Sequence, residues 1–392
     1  MASGSAFQYG LAYLIPAFRA EGLSLQQAGV LVACPTVGVV LTLIAWGAAA
    51  DRWGERVVLT VGLGVAGLIT LVAASVSDVV GLGVCLTLVG ASGASVLASG
   101  RLILRWFARH ERALAMGIRQ SAAPLGQALA AATLPALGAN STRSPLVFLG
   151  VLFLASSATA LAFVRDPAEP PPPSSENAPS PAASSPAPYR TPYLWRVHTA
   201  SALLIIPQFT ITTFALVFLT EVSGWSALAA GQVLAGAQAC GALGRLGAGY
   251  WSDRTGSRMK PMRVIAVATG AGVLALAAAA ALGSGIAVPL LLVLGVVAVS
   301  TNGLSFTAVA EHAGTAWAGR ALGVQTTGQN SVAAATPPVV AMAIASFGFA
   351  PSYAVAGVIA LVGALLVPVT GERGAARRAN PESEPAEPAL SR

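Results

Sequence analysis

The feature that most constrains this chain is a succession of long apolar runs separated by short polar loops. Most runs are about twenty residues long, which is the length that crosses the hydrocarbon core of a bilayer as a helix. Apolar residues make up 55% of the 392 residues and charged residues only 9%, so the chain cannot present the polar surface of a water-soluble protein. The sequence therefore predicts an all-α membrane protein.

The runs predict twelve transmembrane helices arranged as two pseudo-symmetric bundles of six. The first six lie at about 6–18, 28–50, 57–75, 79–106, 116–137 and 145–164, and the second six at about 198–220, 227–251, 264–282, 286–310, 321–346 and 353–369. The first run is shorter than a bilayer requires. We expect its helix either to extend upstream of Met1 or to use residues 1–5, because the run lacks the basic start and cleavage site of a signal peptide.

Composition divides the chain into four parts. Residues 1–164 are predicted to form the N-terminal bundle, 165–196 a cytoplasmic linker, 197–370 the C-terminal bundle and 371–392 a disordered cytoplasmic tail. Between residues 167 and 192 the chain holds ten prolines and no apolar periodicity, which is typical of a flexible, partly polyproline linker.

A decamer repeats once, each time between two apolar runs. Gly47 to Arg56 reads GAAADRWGER and Gly249 to Arg258 reads GYWSDRTGSR, so both copies fit GxxxDRxGxR, and Asp51 and Asp253 are 202 residues apart. A repeat with fixed glycine and charged positions on short basic hairpins indicates a duplicated membrane protein.

The decamer resembles the loop 2-3 signature of the major facilitator superfamily and its echo in loop 8-9. The resemblance implies a twelve-helix transporter whose repeated loops latch the cytoplasmic side of the bundles when it faces outward. The gating residues are then Gly47, Asp51, Arg52, Gly54 and Arg56 in the first copy and Gly249, Asp253, Arg254, Gly256 and Arg258 in the second.

Each residue type in the decamer suits a physical role. We expect Gly47 and Gly249 to let a helix end pack tightly on its neighbour, and the second glycine of each copy to allow a tight turn. Asp51 and Asp253 are expected to meet an arginine of the same loop or the positive end of a nearby helix. The alternative is that these loops only satisfy topology.

Charge placement predicts the orientation, because cytoplasmic loops accumulate Lys and Arg. With the decamers inside, seventeen Lys and Arg residues face the cytoplasm and only Arg19 and Arg143 face outward. The sequence thus predicts a multi-pass protein of a bacterial-type plasma or inner membrane with both termini cytoplasmic.

Three arginines fall within apolar spans, namely Arg101, Arg119 and Arg245. A charge near the middle of a span costs about 2.5 to 3.5 kcal/mol on insertion scales, so each needs a partner or a water-filled cavity. No mid-span acid supplies that partner, which leaves proton symport unsupported and favours an anionic substrate. The alternative is structural: Arg101 continues a snorkelling stripe with Arg105 and Arg109, and Arg245 precedes Asp253 by two helical turns.

Polar side chains in the spans supply further candidates. The substrate-binding candidates are Arg119, Gln120, Arg245, Arg101, Gln325, Asn302, Gln208 and Tyr9. Buried amides and hydroxyls need partners, and these can be substrate or water in a central cavity. They can equally hold helices together, as small polar residues do in membranes.

The junction of the fourth and fifth runs narrows the resemblance. Arg105-Trp106-Phe107 followed by Arg112 to Ile118 resembles the junction in monocarboxylate, oxalate:formate and cyanate-transporter-like branches, which implies a small organic anion. An efflux pump for hydrophobic compounds is the alternative, and a non-transporting receptor on the same scaffold is a third hypothesis that the intact decamers disfavour.

The remaining residue types predict no enzyme. The sequence lacks a GxxxxGK motif and a metal-ligand cluster, so we predict no catalytic residue, metal or cofactor. Cys34, Cys85 and Cys240 are interpreted as small core residues, and the three histidines as interfacial. The expected partners are a small-molecule substrate and the lipid bilayer, with no nucleic acid, and a single chain is expected to function as a monomer.

Overall fold

The structure is a computed structural model that describes residues 1–99, 112–165 and 188–370, and the backbone alone at 51, 98–99, 112–120 and 315–316. These parts form thirteen α-helices. They are α1 (Ala2–Gln8), α2 (Ile15–Ala20), α3 (Leu25–Trp53), α4 (Glu55–Ala73), α5 (Val79–Gly93), α6 (Arg112–Leu137), α7 (Arg143–Phe163), α8 (Pro192–Val217), α9 (Ala227–Thr255), α10 (Met259–Ala281), α11 (Ala287–Val297), α12 (Thr301–Phe347) and α13 (Phe349–Leu366).

Ten helical segments of the described parts are long and apolar enough to cross a membrane. They coincide with ten of the twelve predicted runs, and the other two runs correspond to α1–α2 and α6. The proline-rich stretch 166–187 and the tail 371–392 lie outside the described residues. Helix α8 begins at Pro192, inside the segment predicted as linker.

The first run is not one continuous helix, contrary to the single helix predicted at 6–18. Helix α1 ends at Gln8, a 3-10 turn covers Gly10–Leu14, and α2 follows with Pro16 in its first turn. Proline has no amide hydrogen to donate, so Pro16 cannot continue the hydrogen-bond pattern of the preceding turn and is accommodated at the start of a new helix.

Helix α12 consists of two helices that meet at a kink. Gly314 has φ 66° and ψ 172°, which is outside the helical region and breaks the 47-residue element between the tenth and eleventh predicted runs. The membrane-spanning segments on either side are Ala287–Gly314 and Trp317–Phe347.

The two halves of the chain repeat the same local structure about 202 residues apart. Ser24 caps the start of α3 by accepting a hydrogen bond from the amide of Gln27, and Ser226 caps the start of α9 through the amide of Ala229. Both caps satisfy an otherwise unpaired helical amide. Helices α3 and α9 therefore enter the membrane in equivalent ways, which supports a duplicated architecture.

The halves meet along two equivalent seams, between α3 and α12 and between α9 and α6. A methyl group on Gly29 of α3 would lie 2.6 Å from Cβ of Ala341 and 2.9 Å from the carbonyl oxygen of Pro337. A methyl group on Gly231 of α9 would lie 2.5 Å from the carbonyl oxygen of Ala131 and 2.8 Å from Cγ of Pro135. Glycine allows this close backbone approach, as in other membrane helix pairs.

Both seams lie at one end of the molecule, which we call the distal end. It holds the short connections near residues 20–24, 138–142 and 222–226, whereas the opposite end, the motif end, holds both decamers. The halves are thus packed together at the distal end.

The cysteines do not all match the sequence-based interpretation. All three are free, Cys34 and Cys85 are half-buried, and Cys240 is exposed. The prediction of a core position is wrong for Cys240, because an apolar thiol on a membrane-spanning helix can also lie on the outer surface.

We predict that Gly231→Val lowers the free energy of unfolding by about 1 to 3 kcal/mol, because its side chain would overpack the backbone of α6. The matched control is Gly236→Val on the same helix, where a methyl group would meet no atom within 4 Å. Thermal unfolding of both variants in detergent tests this. Equal midpoints for the two variants would contradict the close approach at this seam.

Candidate functional site

An ion pair joins the two halves at the distal end. Arg19, at the end of the first run, lies 2.5 Å from Glu221, at the end of the seventh, and about a third of each side chain is exposed. The two residues are 202 positions apart, the same offset as the two decamers. Equivalent positions of the two halves therefore contact one another, which places this pair on the pseudo-twofold axis.

Below this pair, the first run contacts the second half through aromatic and amide groups. The amide nitrogen of Gln238 donates to the hydroxyl of Tyr13 at 3.4 Å, and both side chains are buried. One helical turn toward the motif end, the ring of Tyr9 packs edge-on against Phe209 with centroids 6.1 Å apart. These contacts form an aromatic-lined interface between the halves.

Arg245 lies on the same interface. It follows Gln238 by seven residues, or two turns, on the same face of α9, and it is close enough to Tyr9 for an electrostatic interaction. Its Nε atom is buried and has no hydrogen-bond partner, and no carboxylate pairs with it among the residues that the structure describes. Asp253, the acid two turns away, pairs with Arg258 instead.

A half-buried guanidinium without a counterion is costly in a membrane. It can be stabilised by an anion that reaches it from a cavity, and Arg binds carboxylates with paired, charge-assisted hydrogen bonds. Arg245 is therefore the described candidate whose chemistry is least satisfied within the protein.

The amide candidates of the second half are satisfied by their neighbours. Asn302 donates to the side-chain oxygen of Gln208 at 3.1 Å. Gln325, which is 1% exposed, donates to Ser305 at 3.2 Å and accepts from Nδ1 of His198 at 2.5 Å. These contacts link α8 to both parts of α12, so they favour helix packing over substrate binding for these residues.

His198 completes this chain of hydrogen bonds. Because Gln325 accepts from Nδ1, the neutral ring leaves Nε2 to accept from the hydroxyl of Tyr189 at 3.2 Å. His312 stacks on Tyr193 with centroids 4.3 Å apart. His198 lies inside α8 rather than at a helix end because the helix begins earlier than predicted. His110 lies outside the described residues.

The second decamer is held by a branched ion pair. Arg258 donates to Asp253 within the loop and also to Glu311 at the end of the tenth run, at 2.9 Å. Its hydrogen bonds with Glu311 and with Asp253 raise the pKa of Arg258 above its ordinary value, despite partial burial, so it remains charged. Gly256 has φ 58° and forms the expected turn. Arg254 lies over the ring of Tyr250 at 4.7 Å.

The first decamer uses different contacts. Gly54 has φ 81° and separates α3 from α4. Arg56 donates through Nε and Nη2 to the carbonyl oxygen of Leu161, at 3.2 and 2.7 Å, and so ties the loop to the end of α7. Arg52 lies 5.8 Å from the ring centre of Trp53. The side chain of Asp51 lies outside the described residues.

The prediction that Gly47 and Gly249 pack tightly on a neighbouring helix is wrong for this structure. A methyl group built on either glycine meets no atom within 4 Å among the described residues. The physical reason is that the halves are in contact at the distal end, so the motif-end portions of α3 and α9 are not seated on the opposite half.

Three charged or polar candidates cannot be assigned contacts. Arg101 lies outside the described residues, and the backbones of Arg119 and Gln120 lie in α6 but their side chains are not described. Arg245 and Tyr9 are thus the two candidates that the structure brings together between the halves.

Sequence reasoning missed several residues that complete these contacts. Tyr13 could have been found from its four-residue spacing to Tyr9, and Gln238 from its seven-residue spacing to Arg245. Glu221 and Glu311 lie at the ends of apolar runs, and neither run by itself identifies the arginine that each acid meets. The 202-residue offset between Arg19 and Glu221 was the available signal for the distal ion pair.

Sequence comparison gives related proteins over most of the chain. A sequence model of the Major Facilitator Superfamily matches residues 2–337. An uncharacterized MFS-type transporter of Mycobacterium tuberculosis strain H37Rv is 43% identical over 372 residues, covering 94% of this chain and 82% of the relative. Its counterpart in strain CDC 1551 is 42% identical over the same shares.

Solved structures share the fold at low sequence identity. A bacterial homologue of the human lysosomal transporter Spinster, in an inward-facing and unoccupied conformation, matches with a TM-score of 0.74 at 15% identity, covering 98% of this chain and 96% of the other. A D-xylose–proton symporter matches with a TM-score of 0.73 at 16% identity, covering 95% and 97%.

We predict that reversing either charge of the Arg19–Glu221 pair destabilises the protein and that the double reversal restores it. Like charges would face each other in Arg19→Glu or Glu221→Arg, whereas the swapped pair is again complementary. Exposed pairs contribute about 0.2 to 1 kcal/mol, so a coupling energy of that order is expected from a double-mutant cycle on thermal unfolding. Additive effects of the two reversals would show that the pair does not hold the halves together.

Proposed function

Because this chain belongs to the Major Facilitator Superfamily and is therefore a membrane transporter of small molecules rather than an enzyme, we propose that its substrate is a small organic anion carried by alternating access. The observation that supports the anion most directly is the unpaired guanidinium of Arg245 between the halves. A monocarboxylate or similar anion would satisfy it.

The surroundings of Arg245 favour a substrate with one negative charge and an apolar body. Tyr9 and Phe209 supply aromatic surface one turn from the Tyr13–Gln238 hydrogen bond. No described carboxylate pairs with Arg245, so the full charge of the guanidinium is available to the substrate. This chemistry agrees with the resemblance to monocarboxylate-transporter-like branches.

Helical register supports alternating access around this site. Gly47 follows Gly29 by eighteen residues, which is about five turns, so both lie on the face of α3 that meets α12. Gly319 and Gly323 precede Pro337 and Ala341 by the same eighteen residues. A methyl group on either of these glycines also meets no described atom within 4 Å.

Rocking one half against the other can therefore exchange one glycine contact for another. With the distal end closed, Gly29 packs on Pro337 and Ala341; with the motif end closed, Gly47 packs on Gly319 and Gly323. We propose the same exchange for α9, in which Gly249 would replace Gly231 at the seam. The gating loops then have the role that the family resemblance implies for them.

We further propose twelve membrane spans in two six-helix bundles, with both decamers cytoplasmic in a bacterial-type plasma membrane. The excess of Lys and Arg at the motif end supports this orientation. In that orientation the closed distal end faces outward, and one chain with two halves encloses its own pathway, so we propose a functional monomer.

We predict that monocarboxylates stabilise the purified protein. At one hundred times its dissociation constant, a ligand adds about 2.7 kcal/mol to the free energy of unfolding. A thermal-shift screen should compare benzoate and phenylpyruvate with succinate and with tetraphenylphosphonium. The stabilisation by monocarboxylates should be lost in Arg245→Gln and retained in Lys260→Gln, which removes an exposed cation at the motif end.

Stabilisation by tetraphenylphosphonium alone, with Arg245→Gln behaving as the wild type, would contradict the anion proposal. It would support instead an efflux pump for hydrophobic compounds, in which Arg245 has a structural role.

We predict a disulfide between Gly47→Cys and Gly323→Cys in native membranes, because the proposed motif-end closure brings these positions together. The three native cysteines are first replaced by alanine, and an oxidant is applied over time. The control pairs Gly47→Cys with Val339→Cys, an exposed position on the distal part of α12. Failure of the first pair to cross-link above the control would contradict the exchange of seam glycines.

A further inference from the structure

If Arg245 binds the substrate anion, as proposed above, we infer that the carrier works mainly as an anion exchanger: it reorients readily with an anion bound and slowly when empty. Whether the carrier exchanges anions or transports them in one direction depends on the charge of its empty site. This exchange rests on the proposed function. It adds a second substrate, which is an anion bound from the opposite side of the membrane.

Access of water to Arg245 depends on which end of the molecule is closed. In the structure the distal end is closed by the seam at Gly29 and by its counterpart at Gly231. Arg245 is half-buried, and with the distal seams closed we infer that water and ions reach its accessible part from the motif end. The guanidinium is then exposed to solvent through the open side.

To reorient, the carrier must pass through a form in which both ends are closed, and in that form Arg245 loses its contact with bulk water. A charge sealed from water without a partner is strongly disfavoured. The described contacts of Tyr9, Gln238 and Tyr13 supply no carboxylate to neutralise it.

In the loaded carrier the bound anion neutralises the charge of Arg245. A bound carboxylate pairs with the guanidinium, and the site then enters the closed intermediate with no net charge. The barrier to reorientation is therefore lower with the anion than without it. After releasing one anion, the carrier returns quickly only when it binds another, which is exchange.

The membrane potential gives a second consequence. The empty site carries one positive charge more than the loaded site, so the return of the empty carrier moves positive charge outward after each net uptake. An inside-negative potential opposes that movement but does not affect exchange. The effect does not depend on the orientation of the protein in a vesicle.

The test measures uptake of labelled phenylpyruvate into proteoliposomes of the full chain. Its carboxyl group stays ionised at neutral pH, so the probe leaks slowly through lipid. Vesicles preloaded with unlabelled phenylpyruvate should take up label at least about tenfold faster than empty vesicles. A potassium diffusion potential, inside negative, should slow uptake into the empty vesicles only.

Two variants separate the role of the charge from that of the fold. Arg245→Lys keeps the charge and should keep the preference for preloaded vesicles, with weaker affinity for phenylpyruvate. Lys260→Gln removes an exposed charge elsewhere and should behave as the wild type.

Failure of the exchange and failure of the proposed function give different results in this assay. Equal rates of uptake into empty and preloaded vesicles would overturn the exchange and leave the anion transporter standing. No uptake of phenylpyruvate into either kind of vesicle, by protein that unfolds thermally like the wild type in the thermal-shift assay, would overturn the proposed function and the exchange with it.

Discussion

One unpaired charge dominates the physical chemistry of this protein. Arg245 lies between two halves built almost wholly of apolar helices, its Nε atom is buried, and the described group of the opposite half that interacts with it electrostatically is Tyr9. A guanidinium in that position is stable only with access to water or to an anion. The substrate class, the need for an open end and the preference for exchange are all proposed as consequences of this constraint.

The duplicated seams suit the alternating movement proposed around this site. Gly29 and Gly231 allow backbone contact at the distal end, and the Arg19–Glu221 pair spans the axis that relates the halves. The second decamer is braced within its own half by Arg258, which joins Asp253 to Glu311. Each half is thus internally tied, while the halves meet along two repeated, glycine-lined seams, which suits the proposed rigid-body rocking.

The sequence predicted the helical runs, the duplication and the turns at Gly54 and Gly256, because apolar length and glycine position act locally. It could not predict that Gln325, Asn302 and Gln208 are satisfied within the second half, since those partners come from different helices. It also misplaced Gly47 and Gly249, because the neighbours of these glycines depend on how the two halves pack together. The sequence shows the glycine and the proline at the break of the first run, Gly10 and Pro16. It does not show that the chain changes there from an α-helix to a 3-10 turn.

The central claim is that the two ends close alternately around Arg245, and paired distance measurements by spin labelling test it most directly. One label pair, at Ser77 and Ser284, reports on the distal end, and another, at Ala162 and Arg263, reports on the motif end; all four positions are exposed. We predict two populations in which a longer distal distance accompanies a shorter motif-end distance, with phenylpyruvate shifting their proportions. Distances that change in the same direction at both ends, or at one end alone, would contradict alternating closure.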